Sequence, residues 1–259
     1  MILYKYNKSR EIPTLFLHGF LGSNNSWDEI LQLLNKYSIT LDITGHKKNS
    51  FHDKDIDYSI DNWCYDLKKQ LDKESIELIN LCGYSMGGRL AISFAKRYPS
   101  YIKNLILEST SPGIKNKKER MIRYKSDLLL CDNIISDYKK FILEWEQLSL
   151  FEHQCKKNKN GYIQQHKIRL SHNPLQISKS LKVFSQGKLA DCYSCLSEFS
   201  FPINIITGRF DEKYTSIGKL MHSLCKNSMH HILNCGHNVH LEEPILYSKI
   251  VKNILNESI

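Results

Sequence analysis

Residues 81 to 89 read Leu81-Cys82-Gly83-Tyr84-Ser85-Met86-Gly87-Gly88-Arg89, a G-x-S-x-G sequence directly behind an apolar run. Ile76, Leu78, Ile79 and Leu81 suit a buried strand, and Leu90, Ala91, Ile92, Phe94 and Ala95 recur at helical spacing just beyond it. Strand, sharp turn and helix in this order make a nucleophile elbow, whose turn thrusts Ser85 outward from the end of the strand. Gly83 and Gly87 stand at the two places where so strained a turn leaves no room for a Cβ.

The rest of the chain supplies the sheet that such a turn needs. From residue 12 to about 112, short apolar runs alternate with amphipathic stretches: Thr14 to Leu17, Ser26 to Leu34, Ile39 to Ile43, Ile60 to Leu71 and, after the elbow helix, Leu105 to Leu107. This alternation predicts an α/β fold with a doubly wound, mostly parallel sheet. From about 113 to 196 the β-branched runs give way to long charged segments at helical spacing, such as Glu119 to Leu130 and Pro174 to Phe184, which read as a helical insertion. Strand character returns at Ile203 to Ile206 and His231 to Leu233, and a helix from Pro244 to Leu255 follows. The expected organisation is a core in two parts, 1–112 and 197–259, interrupted by a helical cap over 113–196.

Composition narrows the function. The 259 residues, 41% of them hydrophobic, suffice for one large domain. No stretch approaches eighteen consecutive apolar residues, and Met1-Ile2-Leu3-Tyr4-Lys5 runs straight into charged sequence. The expectation is a soluble protein with no membrane partner, cytoplasmic or, if organelle-encoded, in the plastid stroma, and a monomer or weak homo-oligomer. The net charge of +9 is spread along the chain, and its dense clusters, Lys115 with Lys117 and Lys118 and Lys156 with Lys157 and Lys159, lack the interleaved aromatics that stack bases. That speaks against nucleic acid and leaves an attraction for anionic small molecules. Eight cysteines, with only Cys192 and Cys195 close together, read as reduced structural thiols. With neither an H-E-x-x-H motif nor a dinucleotide fingerprint in the sequence, no metal or cofactor is expected.

An elbow serine needs a histidine to take its proton and a carboxylate to orient that histidine, in the chain order serine, acid, histidine. Asp211 follows the expected strand Ile203 to Ile206, and His237 follows Ile232 and Leu233 behind a glycine turn. All three fall at the carboxyl ends of strands, where open α/β sheets build their sites. His240 competes with His237 but lacks the preceding glycine, while Asp132 and Asp191 follow no strand. The backbone amides of Phe20, behind Leu15-Phe16-Leu17-His18-Gly19, and of Met86 are the candidate oxyanion donors.

Three segments together resemble one branch of the α/β-hydrolase superfamily, the MenH enzymes of menaquinone and phylloquinone biosynthesis. They are Leu17-His18-Gly19-Phe20-Leu21-Gly22-Ser23 with Trp27, Gly83-Tyr84-Ser85-Met86-Gly87-Gly88-Arg89, and Leu107-Glu108-Ser109-Thr110-Ser111-Pro112-Gly113. The likeness runs nearly end to end. Glu119-Arg120 with Arg123 and Asp127 is similar to the family's E-R-x-x-R-x-x-x-D helix, Trp145 with Leu148 and Phe151 to its W-x-x-x-P-x-F segment, and Arg169 stands where a cap arginine is expected. Two departures are local. The family's D-L-P-G-H-G-x-S stretch reads Asp42-Ile43-Thr44-Gly45-His46-Lys47-Lys48-Asn49-Ser50, and Ser149 stands for a proline.

The resemblance implies an α/β-hydrolase fold and a lyase that eliminates pyruvate from 2-succinyl-5-enolpyruvyl-6-hydroxy-3-cyclohexene-1-carboxylate to give 2-succinyl-6-hydroxy-2,4-cyclohexadiene-1-carboxylate. Ser85, activated by His237 and Asp211, would then be a base toward a carbon acid. Such a substrate carries three carboxylates, which call for fixed guanidinium groups. Arg89, Arg120, Arg123 and Arg169 are the candidates, Arg120 and Arg123 competing for the inward face of one helix. Pairing with Glu119 or Asp127 is the structural alternative for the cap arginines. Tyr84 and Trp145 would add a hydrogen bond and an apolar wall. The rivals are a carboxylesterase or C–C hydrolase working through an acyl-enzyme, and a receptor that binds without turnover.

Overall fold

The computed structural model describes residues 1–47, 49–52 and 58–256. Its centre is a seven-stranded sheet in the order β1-β3-β2-β4-β5-β6-β7. In chain order the elements are β1 (Leu3–Tyr6), β2 (Thr14–Leu17), α1 (Asp28–Leu34), β3 (Ser38–Leu41), α2 (Ile60–Lys73), β4 (Ile79–Tyr84), α3 (Met86–Arg97) and β5 (Ile102–Glu108). Five helices follow before the next strand: α4 (Lys117–Ser136), α5 (Tyr138–Glu146), α6 (Gln154–Lys157), α7 (Lys159–Leu170) and α8 (Pro174–Val183). The sheet then resumes with β6 (Ile203–Gly208), α9 (Glu212–Leu224), β7 (Ser228–Leu233), α10 (Val239–Glu242) and α11 (Pro244–Asn256).

Strands β2 to β7 pair in parallel, and their central members are buried along their whole length, as a parallel sheet covered on both faces requires. One side is packed by Trp63, Leu67, Leu90 and Phe94 of α2 and α3, the other by Trp27, Tyr247 and Val251 from the turn before α1 and from α11. The strand β1 runs antiparallel on β3 and was not foreseen, because four half-buried residues that include Lys5 carry too weak an apolar signal. Short charged edge strands of this kind blunt sheet-to-sheet association.

The helices between β5 and β6 have an apolar centre of their own, built from Cys131, Ile134, Phe141, Ile142, Ile177 and Leu181. Leu21, from the loop after β2, completes it. Cys192 and Cys195 are buried free thiols, and the Cys195 thiol donates to the Cys192 carbonyl at 2.9 Å. Among the described residues no helix is long and apolar enough to cross a membrane. Of the stretch from Asp42 to Ser50, Lys48 lies outside the described residues.

Candidate active site

Ser85 sits between β4 and α3 at φ +51° and ψ −108°, a conformation that costs a non-glycine residue of order 1–3 kcal/mol and persists only where the surroundings impose it. They do so here by close approach of backbone. A Cβ on Gly83 would stand 2.5 Å from the Gly87 carbonyl oxygen, and one on Gly87 would stand 2.3 Å from that of Leu17. The elbow is wedged against β2, which brings the loop carrying Phe20 over Ser85.

His237 Nε2 lies 3.2 Å from Ser85 Oγ, and its Nδ1 lies 2.6 Å from Asp211 Oδ2. Asp211 caps the N-terminus of α9, its Oδ1 accepting from the Tyr214 amide at 3.2 Å, so one carboxylate oxygen is fixed by the helix and the other by the histidine. Both side chains are buried. His240 goes elsewhere: its Nδ1 faces both Glu108 carboxylate oxygens at 2.8 and 2.9 Å, and its ring stacks on Trp27 at 4.1 Å. Asp191 receives the Tyr193 amide in a local turn away from Ser85. The Met86 amide heads α3 directly after Ser85, and among the described residues neither it nor the Phe20 amide donates to a loop or turn carbonyl.

The arginines differ from one another. Arg89 is buried 8% exposed, its Nε has no partner, and its guanidinium makes no hydrogen bond or ion pair among the described residues. Burial lowers its pKa to about 10, with Arg123 pushing the same way and Tyr214 and Asp127 opposing. Arg123 bonds Asp127 at 2.9 Å and Gln186 at 3.1 Å, the paired alternative, and lines a separate cleft with Lys115 and Lys213. Of the two arginines competing for the inward face of α4, Arg120 donates its guanidinium to the carbonyls of Ile114 and Lys115 at 3.0 and 3.2 Å, which ties it to the loop leading into α4. Arg169 is paired too, not with Glu119 or Asp127 but with Glu146 at 2.8 Å, and it lies over the Phe151 ring.

Tyr84 packs against His237 and His240, and Trp145 meets Phe20 edge-on at 5.5 Å beside Phe151. Gly19, Phe20, Tyr84, Phe151, Arg169 and Asn238 enclose a void of only about 20 Å³, room for about one water. A cavity of about 750 Å³ forms a groove between α1 and α7, and Ser85 is not among the residues that line it.

Sequence reasoning missed Tyr214, whose ring lies 4.7 Å from that of His237, although its place three residues past Asp211 on the first turn of α9 was a usable signal. It also missed three buried histidines beside the Phe20 loop, His18, His46 and His172, whose rings pack edge to face at 4.9 and 5.3 Å. Burial lowers His18 to about 4, His172 to about 3 and His46 well below the usual value, with neighbouring histidines and Lys47 adding to the effect. Above pH 6.5 folded and unfolded chains both hold these rings neutral. Below it the unfolded chain takes up protons that the fold refuses, so stability falls as pH drops from 6.5 toward 4, by of order 3 kcal/mol for His18 alone. Glu242, which burial raises to about 7, acts in the opposite sense, since the unfolded chain loses its proton first. Three rings outweigh one carboxyl, and thermal melts should show a falling midpoint across this window; a midpoint that rises on acidification would contradict the account.

A sheet of this order carrying a serine elbow after β4, an acid after β6 and a histidine after β7 defines the α/β-hydrolase class, and a family profile described as alpha/beta hydrolase fold matches residues 13–244. A protein of Bacillus subtilis (strain 168) assigned as a 2-succinyl-6-hydroxy-2,4-cyclohexadiene-1-carboxylate synthase is 35% identical over 242 residues, 92% of this chain and 88% of its own. The structure of MenH from S. aureus superposes with a TM-score of 0.93 at 31% identity, covering 99% of this chain and 98% of that one. The chain belongs to the 2-succinyl-6-hydroxy-2,4-cyclohexadiene-1-carboxylate synthase (MenH) family of α/β-hydrolases. An esterase from Thermogutta terrifontis superposes at 0.85 with 19% identity over 99% of this chain and 93% of its own, which is a likeness of fold alone.

Proposed function

We propose that this chain is a lyase of menaquinone or phylloquinone biosynthesis, eliminating pyruvate from 2-succinyl-5-enolpyruvyl-6-hydroxy-3-cyclohexene-1-carboxylate to leave 2-succinyl-6-hydroxy-2,4-cyclohexadiene-1-carboxylate. Family membership supports the reaction class, and Arg89 is the observation within the site that carries it. A buried guanidinium without a partner among the described residues, one helical turn beyond Ser85, is costly for folding and has a use if the ligand brings a carboxylate. A neutral ester has no such group.

In this reaction Ser85 gives its proton to His237 Nε2, with Asp211 holding the ring, and the serine oxygen then takes a proton from carbon. The electron pair of that C–H bond moves through the ring, the bond to the enolpyruvyl oxygen breaks, and the departing enolate takes up one proton, balanced by the one that His237 gives back, to become pyruvate. No water is consumed. Charge that builds on the succinyl ketone oxygen is met by the Phe20 and Met86 amides. Arg89 binds one carboxylate, while Arg123 and Arg169 act as second and third cations only by sharing Asp127 and Glu146 with it. Tyr84 and Trp145 wall the pocket. The cap over 113–196 contributes Phe151 and Arg169 to the narrow void beside Tyr84, and its displacement from the core would admit substrate. The expected setting is the cytoplasm or the plastid stroma, as a monomer or weak homo-oligomer.

A competition assay tests this function against that of an esterase. The kcat/KM for the enolpyruvyl tricarboxylate should exceed that for any of a panel of neutral acyl esters by several orders of magnitude. Ester hydrolysis at comparable or greater efficiency would overturn the proposal.

A further inference from the structure

Three buried histidines outside the triad, His18, His46 and His172, converge on the loop that carries the Phe20 amide. We infer that they form a positioning frame that aims the Phe20 N–H at the developing oxyanion and makes its alignment depend on the cap; this rests on the function proposed above. The Gly19 carbonyl belongs to the same peptide group as the Phe20 N–H. It accepts from His18 Nδ1 at 2.7 Å and from the Gly22 amide at 3.0 Å. Because the peptide group is planar and trans, fixing the carbonyl fixes the N–H in the opposite direction.

The next residue is clamped at both of its polar groups. The Leu21 amide donates to His46 Nε2 at 3.2 Å, and the Leu21 carbonyl accepts from His172 Nε2 at 3.2 Å and from Gln165 Nε2 at 3.5 Å. Leu21 is held at φ +62°, and its side chain is buried in the apolar centre of the cap.

Backbone partners dictate one tautomer for each ring. His18 Nε2 accepts from the Ile43 amide at 2.9 Å, which leaves its proton on Nδ1, where Gly19 needs it. His46 Nδ1 faces the Ile43 carbonyl at 3.2 Å, which frees Nε2 to accept from Leu21. His172 Nδ1 accepts from the Lys47 amide at 3.1 Å, which puts its proton on Nε2 toward the Leu21 carbonyl. Only neutral rings satisfy these contacts, in keeping with the lowering that burial imposes. His172 lies between α7 and α8 and Gln165 lies on α7, so the hold on the Leu21 carbonyl comes from the cap. When the cap lifts, that hold goes with it, and the oxyanion donor is aligned only over enclosed substrate.

Two amide substitutions separate this role from bulk packing. An asparagine reaches the place of Nδ1 and a glutamine that of Nε2, so H172N keeps the acceptor for Lys47 and loses the donor to Leu21, while H172Q does the reverse. In steady-state assays of pyruvate release, H172N should lower kcat by about 30-fold or more with KM within about threefold, on the scale set by loss of an oxyanion donor. H172Q should restore kcat to within about fivefold of the unsubstituted enzyme. Equal losses in the two variants, no loss in H172N, or a change confined to KM would overturn the frame. Nitrogen-15 NMR of the unsubstituted protein gives a second readout that needs no variant to fold: His18 and His46 should carry the proton on Nδ1 and His172 on Nε2, and any other tautomer overturns the inference. An unsubstituted enzyme that releases no pyruvate overturns the function instead, a failure distinct from wrong tautomers in an active enzyme.

Discussion

Replacing Ser85 by alanine should lower kcat/KM for pyruvate release by about 10²- to 10⁴-fold, the range associated with a positioned acid or base. The fold should survive. Among the described residues Ser85 Oγ makes one hydrogen bond, the 3.2 Å contact to His237, and alanine meets the same φ of +51° with a side chain no larger. The melting point should therefore stay within a few degrees, as for a change of about 0.5 kcal/mol. Adding His237→Ala to S85A should cost little more, because groups that act as one unit lose their effect together. A double variant far less active than S85A would mean that His237 works without the serine, and the triad would have to be reassigned.

Substitution of Arg89 should move activity and stability in opposite directions. The guanidinium is buried with no acceptor among the described residues, and it stands in the first turn of α3, where the helix dipole already presents positive charge. Both effects oppose folding, and burial, with Arg123 pushing the same way, lowers its pKa to about 10. Arg89→Met should therefore raise the melting point while raising KM about 100-fold, roughly 3 kcal/mol for removing the cationic partner of a desolvated carboxylate. Arg89→Lys should fall between, since it keeps the charge and loses the two-pronged geometry. A lower melting point with KM unchanged would make Arg89 a structural residue and remove the main support for an anionic substrate.

The parts of the site legible in the sequence were those set by local chain geometry. Gly83, Ser85 and Gly87 announce the elbow because a tight turn tolerates so few residues, and Asp211 and His237 announce themselves by following strands. Contacts made across the chain were not legible. Arg120 and Arg123 are three residues apart on one helix, yet one is used by the Ile114 and Lys115 carbonyls and the other by Asp127 and Gln186. Only the packed cap decides that. Glu146, the partner of Arg169, lies 23 residues earlier on another helix, and His172 reaches Leu21 across 151 residues. The edge strand Leu3–Tyr6 escaped for a different reason: four half-buried residues carry too little periodicity to stand out from a polar terminus.

The most direct test of the central claim, that Ser85, His237 and Asp211 serve elimination rather than hydrolysis, follows a single sample of purified protein with the enolpyruvyl substrate and measures pyruvate together with the ultraviolet band of the conjugated diene. The account predicts the two products in equal amounts throughout the reaction. Pyruvate released without the diene, or an unchanged substrate in the presence of active esterase turnover, would contradict it.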